Sequence, residues 1–427
     1  MLLARALQRN PEMIEAAIDL HRRGVIPAAT YMIDLDAIAA NARAMADEIK
    51  RCGLRSYLMT KQSGRNPYAT AVALAQGIDS TVAVEAIEAH VINRYGLPLG
   101  HVGHLSNIPQ AQVAAILAMD PEVVTVFTYE AAKAVSDAAR ALGREQNLYV
   151  RVNRTGDEFF RGMVGGFTEE DCVAGVRPIL DLPNVRVGGL TAFVNISYKT
   201  TDARVAQPTD CFFTMLRAKE KLERELGLCD LRVNAPGFNS CATFRTLADH
   251  GATDVEPGMA LIGSSLTHAH SDLAEKPAQV YVTEVMHHWE GEAYVLGGGL
   301  SYIQRTGGEN EYDIRCIAGR SFDEARDNFL TLADRGVIDY HGVCSEGDRA
   351  RVGDTAIFAL RAQLFYNRCY VAVVSGIASG EPTLEAIFDS AVNMLDEDLM
   401  PVPLPVARER VERCVAERYA GTVGRPT

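Results

Sequence analysis

The chain has 427 residues, 48% of them apolar, enough for a large core and, at roughly 150 residues per domain, about three domains as a soft expectation. Its 42 Lys and Arg against 55 Asp and Glu leave a net charge of −13, which argues against coating nucleic acid or an anionic membrane but not against a local cationic pocket. Nine cysteines with no CxxC pair read as reduced thiols of a cytoplasmic protein, the start MLLARALQRN lacks a signal-peptide core, and no apolar run approaches the ~18 residues of a membrane span.

Residues 1–28 predict a helical extension, with Leu2, Leu3, Leu7, Met13, Ile14, Ala17 and Ile18 at helical spacing. From Thr30, apolar strand segments alternate with alanine-rich helical ones such as DAIAANARAMADEIK. The strand segments are TYMIDL, RSYLMTK, STVAVE, VGHLS, VVTVF, NLYVRVN, VRVGGLTAF and DLRVNAP. Eight β-α units over residues 29–270 match an α/β (β/α)8 TIM barrel, with an open doubly wound sheet as the alternative. Beyond it, residues 271–427 predict a C-terminal β-rich domain, from QVYVTEVMHHW through RCYVAVV. A helical excursion is expected near FDEARDNFLTLADR, and ARERVERCVAERYA reads as a charged, solvated terminal helix.

Reactive groups of a barrel sit at the C-terminal strand ends, and Lys61 stands there after SYLMT. A partly desolvated lysine is a better amine nucleophile; the plainer reading is a lysine that starts a loop and points at water. VNAPGFNSCATF and VEPGMALIGSS are rich in small residues whose backbone N–H groups approach an anion closely. A lysine opposite such loops suggests a phosphate-bearing cofactor. His268 and His270 form an H-x-H pair without a nearby third ligand, so no metal is expected.

These motifs, in this order, resemble the fold-type III pyridoxal-phosphate enzymes, the alanine racemase-like family, and within it the YhfX-type proteins. YMIDLDAIAANARAM is similar to the family's opening strand and helix with an inward Asn, SYLMTKQ to the strand ending in its Schiff-base lysine, FNSCATF to its Asn-Ser segment, and VEPGMALIGSS to its Pro-Gly loop. The resemblance implies pyridoxal 5′-phosphate as cofactor, with Lys61 as the lysine that holds it. It also implies Asn239, Ser240, Gly258 and Met259 around the phosphate, and a homodimer with shared active sites. Arg65 stands where racemases carry a tyrosine and suits the phosphate. Glu256 replaces the arginine that racemases set against the pyridine nitrogen, as in fold-type III decarboxylases, unless it is a surface acid beside a turn. The family's Thr-His-Phe segment reads Thr191-Ala192-Phe193, which leaves Phe193 or Asn195 for ring support.

Arg161 lies near an arginine that flanks the racemase site, where it meets a substrate carboxylate or the cofactor's phenolic oxygen, or forms a structural ion pair. GVCSEGD resembles the Cys-Glu-Ser-Gly-Asp segment of the decarboxylases, which makes Cys344 a second acid/base and Asp348 a substrate contact, or simply a buried cysteine beside an acidic loop. Tyr302 is the other candidate for the face opposite Lys61. The expected activity is amino-acid racemisation by two bases; the alternatives are a lyase or decarboxylase and a non-catalytic pyridoxal-phosphate-binding protein.

Overall fold

The computed structural model describes residues 1–427 except 158–160, 199–205, 301–313, 335–337, 362, 365, 366 and 420–427. The chain forms two compact units, one from Met1–Ala44, Lys61–Gln76 and Met259–Thr427, the other from Met45–Thr60 and Gly77–Gly258.

The second unit holds the barrel, and its strands are not quite the eight expected. Strand β1 (Thr30–Asp34) lies in the sheet of the other unit. The barrel runs through β2 (Arg55–Met59), β3 (Ser80–Ala83), β4 (Leu99–Val102) and β5 (Val123–Val126). It continues through β6 (Gln146–Asn153), β7 (Val185–Thr191), β8 (Arg232–Asn234) and β9 (Asp254–Val255). All pair in parallel, and β9 pairs back onto β2 through Asp254↔Arg55 and Val255↔Ser56, so the sheet is closed rather than open and doubly wound. The eighth strand is therefore the two-residue Asp254–Val255, too short to carry an apolar rhythm.

Burial explains how so short a strand is held. The Asp254 carboxylate, fully buried, accepts from Arg232 Nε at 2.9 and 3.0 Å and from the Tyr149 hydroxyl at 2.8 Å. Burial and the adjacent Asp254 charge push the Tyr149 phenol far up, so it stays a hydrogen-bond donor. The helices follow their local signals: Thr128 Oγ1 accepts from the Ala131 N–H to cap Tyr129–Ala141, and Gly227, at φ 69°, ends Asp210–Leu226 in a left-handed turn that suits glycine.

The first unit is built on β10 (Gln279–Trp289), β11 (Glu292–Leu296), β12 (Arg315–Gly319), β13 (Phe329–Asp334), β14 (His341–Ser345) and β15 (Thr355–Phe358). They pair antiparallel in the closed order β10-β11-β14-β13-β12-β15, a second barrel. Strand β1 extends that sheet, antiparallel to β10 and parallel to β16 (Tyr370–Ser375), followed by β17 (Thr383–Phe388) and β18 (Met394–Leu395). All five residues of TYMID are buried, so an apolar run suits this sheet as well as a parallel barrel. The expected helical excursion shrinks to Phe322–Ala325, because FLTLAD is strand β13.

The N-terminal helices Leu2–Arg9 and Pro11–Arg22 are part of this unit's core: Leu3, Met13, Ile14 and Ile18 pack in one cluster with Met32, Val280, Ile357 and Ala372. Asn10 Nδ2 joins them to β1, donating to Asp34 Oδ2 at 2.8 Å and to the Pro277 carbonyl at 2.9 Å. The inward asparagine of the next helix, Asn41, donates to the carbonyls of Leu261 (2.9 Å) and Lys276 (2.8 Å). Among the described residues, no helix is long and apolar enough to cross a membrane.

Candidate active site

The C-terminal strand ends of the parallel barrel gather a buried polar cluster around Glu256. This residue follows β9 directly, and its side chain is wholly shielded from solvent. Oε1 accepts two hydrogen bonds, from His101 Nδ1 on β4 and from Asn234 Nδ2 on β8, both at 2.7 Å. Oε2 accepts none: His104 Nδ1 stands 3.2 Å away, outside hydrogen-bonding angles. The two oxygens of one carboxylate thus differ sharply, one taking two hydrogen bonds from the protein and the other none.

The residues behind Glu256 are themselves fixed. His101 Nε2 lies 2.6 Å from Thr125 Oγ1 on β5, and the imidazole sits edge-on to Tyr57 and Tyr149. Asn234 Nδ2 also donates to Thr191 Oγ1 at 3.0 Å. Arg151, 1% exposed, donates to the carbonyls of His104 at 2.8 Å and Met163 at 3.1 Å, and lies over the Phe127 ring. Burial lowers the pKa of its guanidinium to about 10, against upward pulls from Cys211 and Glu256.

The loop after β8 completes the cluster. The Glu256 N–H donates to Asn239 Oδ1 at 2.8 Å, and Asn239 Nδ2 donates to the Ala235 carbonyl at 3.1 Å. The Ser240 N–H is taken up by Thr243 Oγ1 at 2.9 Å, whereas Ser240 Oγ is buried with no hydrogen-bond partner. The Met59 N–H at the end of β2 donates to the Pro257 carbonyl at 2.8 Å, so the first barrel strand is stitched to the residue after Glu256.

Lys61 begins a single 3-10 turn, Lys61–Ser63, two residues past the end of β2. Asn66 then caps Pro67–Ala75 by accepting from the N–H groups of Tyr68 and Ala69. Arg65 adopts φ 57°, and its guanidinium reaches the Ser390 carbonyl at 3.4 Å. The Met259 carbonyl closes a turn by accepting from the Ser264 N–H at 3.1 Å.

Other expected residues lie elsewhere. Cys344 is a core side chain, fully buried in the cluster with Tyr31, Tyr281, Leu330 and Phe358, its Sγ 4.0 Å from that of Cys316. Apolar packing encloses the Cys344 thiol within its unit. Asp348 is exposed in the turn Gly347–Arg349. Arg161 opens the turn Arg161–Met163, while Tyr302 lies outside the described residues. His268 is buried, 2.6 Å from Ser265 Oγ and 3.5 Å from Glu275 Oε2; among the described residues no group of three or more His, Cys, Asp or Glu is arranged to hold a metal ion. Phe193 meets His104 edge-on, and Asn195 Nδ2 donates to the carbonyls of Ala192 (2.7 Å) and Pro236 (3.1 Å).

Comparison with known proteins gives the family. The family described as alanine racemase, N-terminal domain, matches residues 33–266, and YhfX-like, C-terminal domain, matches residues 280–384. The protein YhfX of Escherichia coli (strain K12) is 34% identical over 395 residues, 92% of this chain and 100% of that one. The chain belongs to the alanine racemase-like, fold-type III pyridoxal-phosphate family, in its YhfX-related branch. Among solved structures of this fold, D-threo-3-hydroxyaspartate dehydratase from Delftia sp. HT23 is 18% identical with a TM-score of 0.62, covering 84% of this chain and 97% of its own. Alanine racemase from Corynebacterium glutamicum is 18% identical with a TM-score of 0.56, covering 77% and 88%.

Of this cluster, the sequence motifs point to Glu256, Asn239 and Ser240 and not to His101, His104, Asn234 or Arg151. One signal was available: LGHVGHL places two histidines three residues apart at a strand end, an arrangement an apolar strand does not need.

Proposed function

We propose that this YhfX-related chain binds pyridoxal 5′-phosphate at the C-terminal end of its parallel barrel and acts on the α-carbon of an amino acid, with racemisation as the reaction. The observation that carries the reading is Glu256 Oε2, a buried carboxylate oxygen with no donor of its own. A protonated pyridine nitrogen is such a donor, and leaving a buried acceptor unpaired costs about 1–3 kcal/mol. Ser240 Oγ, equally buried and unpartnered, fits a phosphate oxygen. The residues present therefore fit the cofactor at both its ring nitrogen and its phosphate. Arg65 and the backbone N–H groups of Gly258 and Met259 are the further phosphate contacts proposed from sequence.

The cofactor, when bound, supplies the electron sink that weakens bonds at the α-carbon. The chain supplies the rest. Lys61 Nζ holds the cofactor between turnovers, then takes and returns the α-proton on one face. Tyr302 is proposed for the opposite face, Arg161 for the substrate carboxylate and Asp348 for a second substrate contact. Cys344 is given no step.

Glu256 also favours a second reading, a lyase that eliminates a β-substituent or carbon dioxide. A carboxylate at the ring nitrogen strengthens the sink, and such a reaction needs one acid/base group rather than two. Incubating the protein, supplied with pyridoxal 5′-phosphate, with a panel of amino acids in deuterated water separates the two. Solvent deuterium at the α-carbon with inversion supports racemisation. Release of ammonia with an oxo acid, an aldehyde or carbon dioxide replaces racemisation by the lyase reading. No turnover of any amino acid, with no visible absorbance band, overturns both.

A further inference from the structure

The bare oxygen of Glu256 has a counterpart that no catalytic role has yet absorbed, the histidine on its other oxygen. We propose that His101 is a positioning residue: by pinning Oε1 of Glu256 it holds Oε2 ready to keep the cofactor's ring nitrogen protonated. This rests on the functional reading above and deepens it.

The argument is one of donors and acceptors. Oε1 takes two hydrogen bonds at 2.7 Å, one from the amide of Asn234 and one from Nδ1 of His101. With Glu256 ionised, His101 donates to Oε1 through its Nδ1–H, and its Nε2 lies 2.6 Å from Thr125 Oγ1, within hydrogen-bonding reach. In that chain, Thr125 to His101 to Glu256, the first two residues stand on the paired strands β5 and β4, and Glu256 follows β9 directly. Replacing His101 frees the carboxylate to rotate, because Asn234 alone fixes one oxygen through a single bond.

The charged and titratable neighbours support a directional role. His104 lies 3.2 Å from Oε2 but off the hydrogen-bonding direction, so it crowds that oxygen without saturating it. Arg151 is a buried cation that Glu256 stabilises electrostatically, and its guanidinium donates to the carbonyls of His104 and Met163. Tyr57 and Tyr149 flank the imidazole edge-on, and the Tyr149 hydroxyl is committed to Asp254. The protein thus leaves one lone pair of Glu256 for an external N–H, and His101 decides where that lone pair points.

The test follows the ring nitrogen itself. Pyridoxal 5′-phosphate labelled with nitrogen-15 at the ring is bound to the whole chain, and its nitrogen resonance is recorded between about pH 6 and pH 9. In the unsubstituted protein the resonance should stay at the protonated position throughout. In His101→Leu the nitrogen should titrate within the window, its midpoint lowered by at least about one pH unit, a tenfold change in proton affinity. His101→Asn, which returns a donor to Oε1, should restore most of the shift, a rescue that simple packing does not predict. Thr125→Val keeps His101 and removes only its outer partner, so it should move the midpoint in the same direction by less, and it remains informative if His101→Leu does not fold. A nitrogen that stays protonated in folded His101→Leu, or in Thr125→Val where His101→Leu is unfolded, overturns this inference and leaves the functional reading standing. An unsubstituted protein that takes up no pyridoxal 5′-phosphate overturns the functional reading as well.

Discussion

The two barrels of this chain solve opposite problems. The antiparallel one is filled with Tyr31, Tyr281, Val285, Cys316, Leu330, Cys344 and Phe358, an apolar interior where even the cysteines behave as small hydrophobes. The parallel one carries Glu256, His101, His104, Asn234 and Arg151 buried at its strand ends, with Glu256 Oε2 and Ser240 Oγ left without a hydrogen bond. Unpaired buried polar atoms are costly, so a fold that keeps them at strand ends has another use for them. The contrast supports the proposal that the cofactor's ring nitrogen and phosphate meet the parallel barrel.

Four substitutions or conditions sharpen that contrast, from the largest effect to the smallest. Asp254→Ala removes the acceptor shared by Arg232 and Tyr149 and should cost about 3–5 kcal/mol in denaturant unfolding, as breaking a buried ion pair does; a loss under about 1 kcal/mol contradicts its structural role. Ser240→Ala should leave the cofactor-free protein as stable as before, because Oγ has no protein partner, and weaken pyridoxal 5′-phosphate binding by about 10- to 100-fold, equivalent to the ~1.5–3 kcal/mol of a charge-assisted hydrogen bond. The reverse pattern would make Ser240 a structural residue. Cys344→Ser buries an extra hydroxyl among apolar side chains and should cost about 1–3 kcal/mol with turnover unchanged; a stable but inactive variant would return Cys344 to the chemistry.

The smallest effect is one of pH, in the antiparallel unit. Burial lowers the pKa of His21 below its ordinary 6.5, with Glu284 opposing the shift and Arg22 adding to it, while Nδ1 lies 2.8 Å from Thr355 Oγ1. Between the lowered value and 6.5 the unfolded chain binds more protons than the folded one. The stability contribution is therefore present above pH 6.5 and is lost as pH falls through that window. The melting temperature should drop on acidification below that point, and His21→Gln should flatten the drop; an unchanged slope contradicts the assignment.

Much of this was legible in the sequence because alternation of apolar and helical segments survives any choice of sheet. TYMID reads correctly as a strand, but nothing local says that its partners, β10 and β16, lie some 250 and 340 residues further along the chain. Asp254–Val255 is the converse, a strand made by its neighbours rather than by its own propensity. Glu256 and Ser240 were readable because they sit beside Pro-Gly and Asn-Ser motifs. His101 and Arg151 were not, since a polar residue inside a short apolar strand looks like an exposed-face position until the barrel closes around it. Cys344 is the converse: its motif resemblance is legible in the sequence, while its burial among apolar side chains appears only in the fold.

The central claim is that Lys61 holds pyridoxal 5′-phosphate in this chain. Borohydride reduction of the protein supplied with the cofactor, followed by proteolysis and mass spectrometry, tests it directly. The account predicts one phosphopyridoxyl group per chain, on the peptide containing Lys61, and none in Lys61→Ala. Modification at a different lysine, or no modification at all, contradicts it.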